Sequence, residues 1–98
     1  MNVIAKRTLV QFWSRIPAAE KPLMAWYMVT SKSIWKDPQD IKAQFGSNVD
    51  FVADNSVIFD IGGNKYRLIV RVAYEFKAVL IKFVGTHAEY DRINPETI

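Results

Sequence analysis

The sequence predicts an α+β fold: two N-terminal helices packed on one face of a small antiparallel sheet, with a short C-terminal helix. Apolar residues recur at helical spacing through the first half of the chain. They alternate at every second position after Gly46, and a Gly-Asn step breaks the stranded half. With 98 residues and no repeats or low-complexity tracts, the chain reads as one domain over 1–98.

The elements follow in order. Val3-Ile4-Ala5 is a short apolar run suited to an edge strand. Thr8 is the expected N-cap of a first helix, whose stripe is Leu9, Phe12, Trp13 and Ile16. Pro17 ends it. A second helix is expected from about Ala18 to Ser31, with Pro22 tolerated near the first turn and a stripe of Leu23, Trp26, Tyr27 and Thr30. Asp37-Pro38-Gln39-Asp40 supplies an N-cap, a proline at N1 and an acidic N3 for a short helix that buries Ile41 and Phe45. Residues Val49 to Ala53 form a weak strand, and Val57, Phe59 and Ile61 mark the inner face of the next. Gly63-Asn64 is expected to be a two-residue primed turn. Strands from Lys65 to Ala73 and from Ala78 to Val84 follow, joined by a four-residue loop. Thr86-His87-Ala88-Glu89 is a capping box opening the last helix.

The two turns set a register. Asp60 should face Arg67 and Phe59 should face Leu68. Across the next loop, Arg67 should face Val84, Ile69 Lys82, and Arg71 Leu80. Tyr66, Leu68, Val70, Val72, Val79, Ile81 and Phe83 then share a core face, and Arg67, Arg71, Lys82 and Asp60 share an open cationic one.

Half of the residues are hydrophobic, enough for a core without a staple. There are no cysteines and one histidine, so disulfides, thiolate sites and zinc are not expected, nor is any cofactor. No stretch reaches the roughly 20 apolar residues of a membrane span, and the N-terminus lacks a signal-peptide pattern, so a cytoplasmic protein with no membrane partner is expected. The net charge is +3. Residues 62 to 85 concentrate it, with Lys65, Arg67, Arg71, Lys77 and Lys82 against Glu75 alone.

Three groups invite a chemical reading. Arg67, Arg71 and Lys82 on one face suit phosphate binding, because guanidinium forks match phosphate oxygens. The plainer alternative pairs Arg67 with Asp60 and leaves the others as solubilising charges. His87 starts a helix, where a neutral ring is favoured and can act as a base, with Tyr90 one turn on. The plainer alternative leaves His87 exposed and Tyr90 on the sheet edge. Trp13 and Trp26 lie on apolar stripes and belong to the core, whereas the loop position of Trp35 assigns it no role. Gly62-Gly63 is a turn and lacks the Gly-Lys-Ser/Thr pattern of a phosphate loop.

Two stretches, Asn64-Lys65-Tyr66-Arg67-Leu68-Ile69 and Gly85-Thr86-His87-Ala88-Glu89-Tyr90-Asp91-Arg92-Ile93, resemble the signatures of HigB-type toxins of the RelE/ParE-like superfamily. Val3-Ile4-Ala5-Lys6, Ala25-Trp26-Tyr27 and Asp40-Ile41-Lys42 extend the resemblance along nearly the whole chain. It implies a RelE-like fold and ribosome-dependent cleavage of messenger RNA without a metal. It also implies a helix-turn-helix, HigA-like antitoxin that silences the toxin and forms a hetero-oligomer on operator DNA. By the same resemblance His87 is the acid or base, Arg67 the transition-state clamp, Tyr90 an orienting or stacking group, and Lys82 and Arg71 phosphate ligands. Lys65 and Lys6 are further RNA-binding candidates. Competing readings are a non-catalytic binder of RNA or protein, a gyrase-directed ParE-like toxin, and a toxin that has lost activity.

Overall fold

A computed structural model describes residues 1–98. Five strands form one sheet in the order β1-β5-β4-β3-β2. They are β1 (Asn2–Ile4), β2 (Val49–Val52), β3 (Ser56–Ile61), β4 (Tyr66–Ala73) and β5 (Ala78–Thr86). All neighbours run antiparallel except β1, which joins the β5 edge in parallel. The helices are α1 (Lys6–Arg15), α2 (Glu20–Lys32), α3 (Pro38–Phe45) and α4 (His87–Tyr90). The α+β fold expected from the sequence is the one found.

The core lies between the first three helices and one face of the sheet. Leu9 and Phe12 of α1, Leu23 and Trp26 of α2 and Ile41 of α3 meet Val57, Phe59, Leu68, Val70, Val72 and Val79 there, all buried. Trp35, left without a role by the sequence, is 1% exposed; its ring stacks on Phe59 and its Nε1 donates to Gln44 Oε1 at 2.7 Å. That bond satisfies the one polar atom of an otherwise apolar side chain, so burial carries little penalty. Asp37 caps α3 as expected, accepting from the Asp40 amide at 3.2 Å.

Several local expectations need correction. Thr8 is not an N-cap: α1 starts two residues earlier, after Ala5, and the Thr8 amide already donates to the Ala5 carbonyl at 3.1 Å. The second helix begins at Glu20, because Pro17 to Ala19 form a separate 3-10 turn. The β3–β4 connection spans Gly62 to Lys65, and the positive φ angles fall on Gly62 and Gly63 rather than on Gly63 and Asn64. Its register nevertheless keeps Asp60 opposite Arg67 and Phe59 opposite Leu68.

The largest correction is in β5. Arg71 faces Leu80 and Val70 faces Ile81, but Ile69 then faces Phe83 and Arg67 faces Gly85. A β-bulge at Lys82 adds one residue to β5, and each later side chain changes face. Val84 therefore packs against the core in place of Phe83. The bulge cannot be read from apolar alternation here, because Ile81, Phe83 and Val84 are all apolar and either phase buries good candidates.

Candidate functional site

The sheet face away from the core carries three cross-strand rows. Asp60, Arg67 and Gly85 form the first, and Ile58, Ile69 and Phe83 the second. Ser56, Arg71 and Leu80 form the third, which Ile4 extends onto β1. Ile58 and Ile69 are buried, at 5% and 0% exposure. An apolar strip thus divides the open face on which the sequence placed Arg67, Arg71, Lys82 and Asp60.

At one end, Arg67 is tightly held. Its Nε lies 3.2 Å from Asp60 Oδ1, and its side chain is only 11% exposed. Its terminal nitrogens donate to the Asn64 side chain at 2.7 Å and to the carbonyls of Asn64 and Tyr66. The Tyr90 ring covers the guanidinium at 5.6 Å from the ring centroid. The pairing with Asp60, the plainer alternative, is thus realised, while one terminal N–H of Nη2 keeps no partner among these contacts.

The short α4 stands beside this group. The Thr86 hydroxyl accepts from the Glu89 amide and Glu89 Oε1 accepts from the Thr86 amide, a complete capping box. The Thr86 amide bond, aided by Arg15 at 3.1 Å, holds the Glu89 carboxyl below its ordinary value of 4.5. The His87 amide donates to the Lys65 carbonyl at 3.1 Å, which ties the helix start to the β3–β4 turn.

His87 Nδ1 lies 3.1 Å from Asp91 Oδ2. A carboxylate oxygen accepts, so a proton on Nδ1 would complete this contact and leave Nε2 outside it. The His87 and Tyr90 rings meet edge to face with centroids 6.5 Å apart. An imidazole, an aromatic ring and a guanidinium are therefore contiguous at one end of the exposed face.

The other candidates are spread out. Lys82 is the exposed bulge residue, three positions along β5 from Gly85, the partner of Arg67. Arg71 is exposed and four residues along β4, roughly 13 Å away at strand rise. Lys65 lies in the turn and reaches His87 through its backbone. Lys6 sits elsewhere, its Nζ 4.9 Å from the Tyr27 ring centroid on the helix layer. The structure does not bring Lys6 together with the rest.

Sequence reasoning missed Asp91 and Asn64. The i, i+4 spacing of His87 and Asp91 was a usable signal. The contact of Asn64 with Arg67 depends on turn geometry and had none. No group of three or more His, Cys, Asp or Glu side chains converges as metal ligands would, and no helix is long and apolar enough to cross a membrane.

Comparison with known proteins bears on this arrangement. Residues 19–93 match the model of a family described as the HigB toxin, the RelE-like toxic component of a toxin-antitoxin system. The mRNA interferase toxin HigB of Escherichia coli (strain K12) is 32% identical over 93% of this chain and 88% of its own length. An mRNA interferase HigB of Shigella flexneri matches equally, and one from Escherichia coli O6:H1 is 26% identical over 95% of this chain and 91% of its own. With its α+β architecture and these matches, the chain belongs to the HigB family of RelE-like toxins.

Proposed function

We propose that this chain is a ribosome-dependent mRNA endonuclease, held inactive in the cytoplasm by an antitoxin of helix-turn-helix type. The observation that carries the reading is the His87–Asp91 pair set beside Tyr90 and the Arg67 guanidinium on an uncovered sheet face. The similarity to proteins named mRNA interferases supports it.

The chemistry needs a proton acceptor, a proton donor and positive charge around one phosphorus. The ribose 2′-OH loses its proton to a base and attacks the adjacent phosphate in line. The P–O5′ bond breaks, the 5′ oxygen takes a proton, and a 2′,3′-cyclic phosphate remains. This route uses the substrate's own hydroxyl as nucleophile and requires no metal. His87 Nε2 serves as one of the two proton-transfer groups, with Asp91 fixing its tautomer. Arg67 stabilises the charge that builds on the non-bridging oxygens, and its fixed setting against Asp60 and Asn64 means little rearrangement as that charge develops. Tyr90 holds the guanidinium plane and offers a stacking face. Lys82 and Arg71 steer the strand across the face.

His87→Ala should lose about 10²- to 10⁴-fold in cleavage and relieve growth arrest. Arg67→Lys keeps the charge, loses the fork and should fall markedly as well. Mapping transcript ends after brief induction, with circular dichroism on the purified variants, checks both. Well-folded His87→Ala protein that still cuts at the wild-type rate would falsify the assignment.

The engagement of Arg67 with Asp60 favours one second reading, a binder of RNA that cuts nothing. Translation arrest without new transcript ends would select it. DNA damage on induction would instead select a gyrase-directed toxin.

A further inference from the structure

The exposed face continues beyond the His87 cluster, and its far end holds a cavity of which the proposed chemistry uses only Arg71. It measures about 430 Å³ and is lined by Asn55, Arg71, Tyr74, Glu75, Phe76 and Leu80, among others. Phe76 is 80% exposed and Leu80 40%, with Ile4 beside Leu80 at 45%. The wall opposite Phe76's loop is held in place by the backbone. Asp54 and Asn55 take left-handed conformations in the β2–β3 turn, and the Asn55 carbonyl accepts from the Val72 amide at 2.9 Å.

We infer that this cavity is a second RNA subsite, which takes one nucleobase of the single strand against Phe76 and that nucleotide's phosphate on Arg71. The inference rests on the nuclease reading above and deepens it. A large aromatic ring left in water beside a guanidinium is the pairing by which single strands are held: the ring stacks on any base face, and the cation meets the backbone. Arg71 lies on the same side of β4 as Arg67, roughly 13 Å away. That span covers about four nucleotides of stacked strand, fewer if the strand is stretched.

Glu75 decides which part of the nucleotide enters. A carboxylate in the lining repels phosphate, so the backbone stays on the Arg71 side and the base goes in. A carboxylate accepts hydrogen bonds only; adenine, cytosine and guanine offer it an exocyclic amino group, whereas uracil's N3–H stands between two carbonyl oxygens that a carboxylate repels. The subsite therefore selects an amino-bearing base over uracil, at a fixed displacement from the cut.

Binding of short 2′-O-methyl oligoribonucleotides, which lack the attacking hydroxyl, tests this by fluorescence anisotropy on purified protein. Phe76→Ala should weaken binding about tenfold, in the range of one lost base stack, and Phe76→Tyr should restore it. Glu75→Gln should erase the preference for oligomers of amino-bearing bases over oligouridylate. Both positions are exposed, so folding should survive. Equal binding by wild type and Phe76→Ala, or none by either, overturns the subsite. If Phe76→Ala disturbs only the complex with the antitoxin, the cavity belongs to that protein and the inference is wrong. Transcript-end mapping separates the two readings. Cuts with an unchanged base pattern in Phe76→Ala count against the subsite alone, whereas no cuts by the wild type, with Phe76-dependent binding intact, count against cleavage alone.

Discussion

At Gly85 an added Cβ would sit 2.5 Å from the Phe83 ring and 3.2 Å from the Glu89 Cβ. The missing side chain lets Phe83 lie across the strand and lets α4 approach the sheet next to Arg67. Gly85→Ala should push α4 outward, lowering stability by about 1–3 kcal/mol in urea denaturation and reducing cleavage further than that loss explains. Asp91→Asn tests the neighbouring contact: it leaves His87 in place but weakens control of its tautomer. Its cleavage should fall by less than in His87→Ala, with unchanged thermal unfolding. Asp60→Ala leaves the largely buried Arg67 side chain without its anion and should lower stability by about 1–3 kcal/mol, read from the urea midpoint. At this scale the sequence was informative where spacing alone creates a contact, as for Asp60 with Arg67 across a register. It was silent where a turn's detailed path does so, as for Asn64.

Among the elements, α4 depends most on its cap. Four residues cannot sustain a helix by propensity, so the Thr86–Glu89 box and the Arg15 contact hold it against the fold. Thr86→Ala should lower stability by about 0.5–2 kcal/mol. Glu89 has a folded pKa below its ordinary 4.5, so its contribution is present above the unfolded value and is lost as pH falls through the lower folded one. Thermal unfolding followed from neutral pH to below 4.5 should show this loss, and Glu89→Gln should flatten the acid limb. The capping box, the Asp37 cap and the helical stripes were legible because each is written in a few adjacent side chains. The start of α1 and the turn at Gly62-Gly63 were not, since neighbouring residues offer equally good alternatives and tertiary packing chooses among them.

Over the whole molecule, Phe59 joins the layers. Its ring lies 5.5 Å from Trp26, 6.2 Å from Trp35 and 4.9 Å from Phe45, so α2, the α2–α3 loop and α3 all rest on one side chain of β3. Phe59→Ala should destabilise the protein by about 3–5 kcal/mol and unfold helices and sheet together. Trp35 joined this cluster unannounced, because a loop carries no periodicity from which burial can be inferred. The extra residue at Lys82 has a consequence of its own for variation along β5. Before it, charge is refused at Val79 and Ile81; after it, the refusal passes to Val84, so odd positions give way to even ones within a single strand. Were Lys82 drawn into the ladder as an ordinary paired residue, everything downstream would turn by half a pleat, carrying Phe83 inward and swinging the imidazole-bearing segment off the side where Arg67 waits.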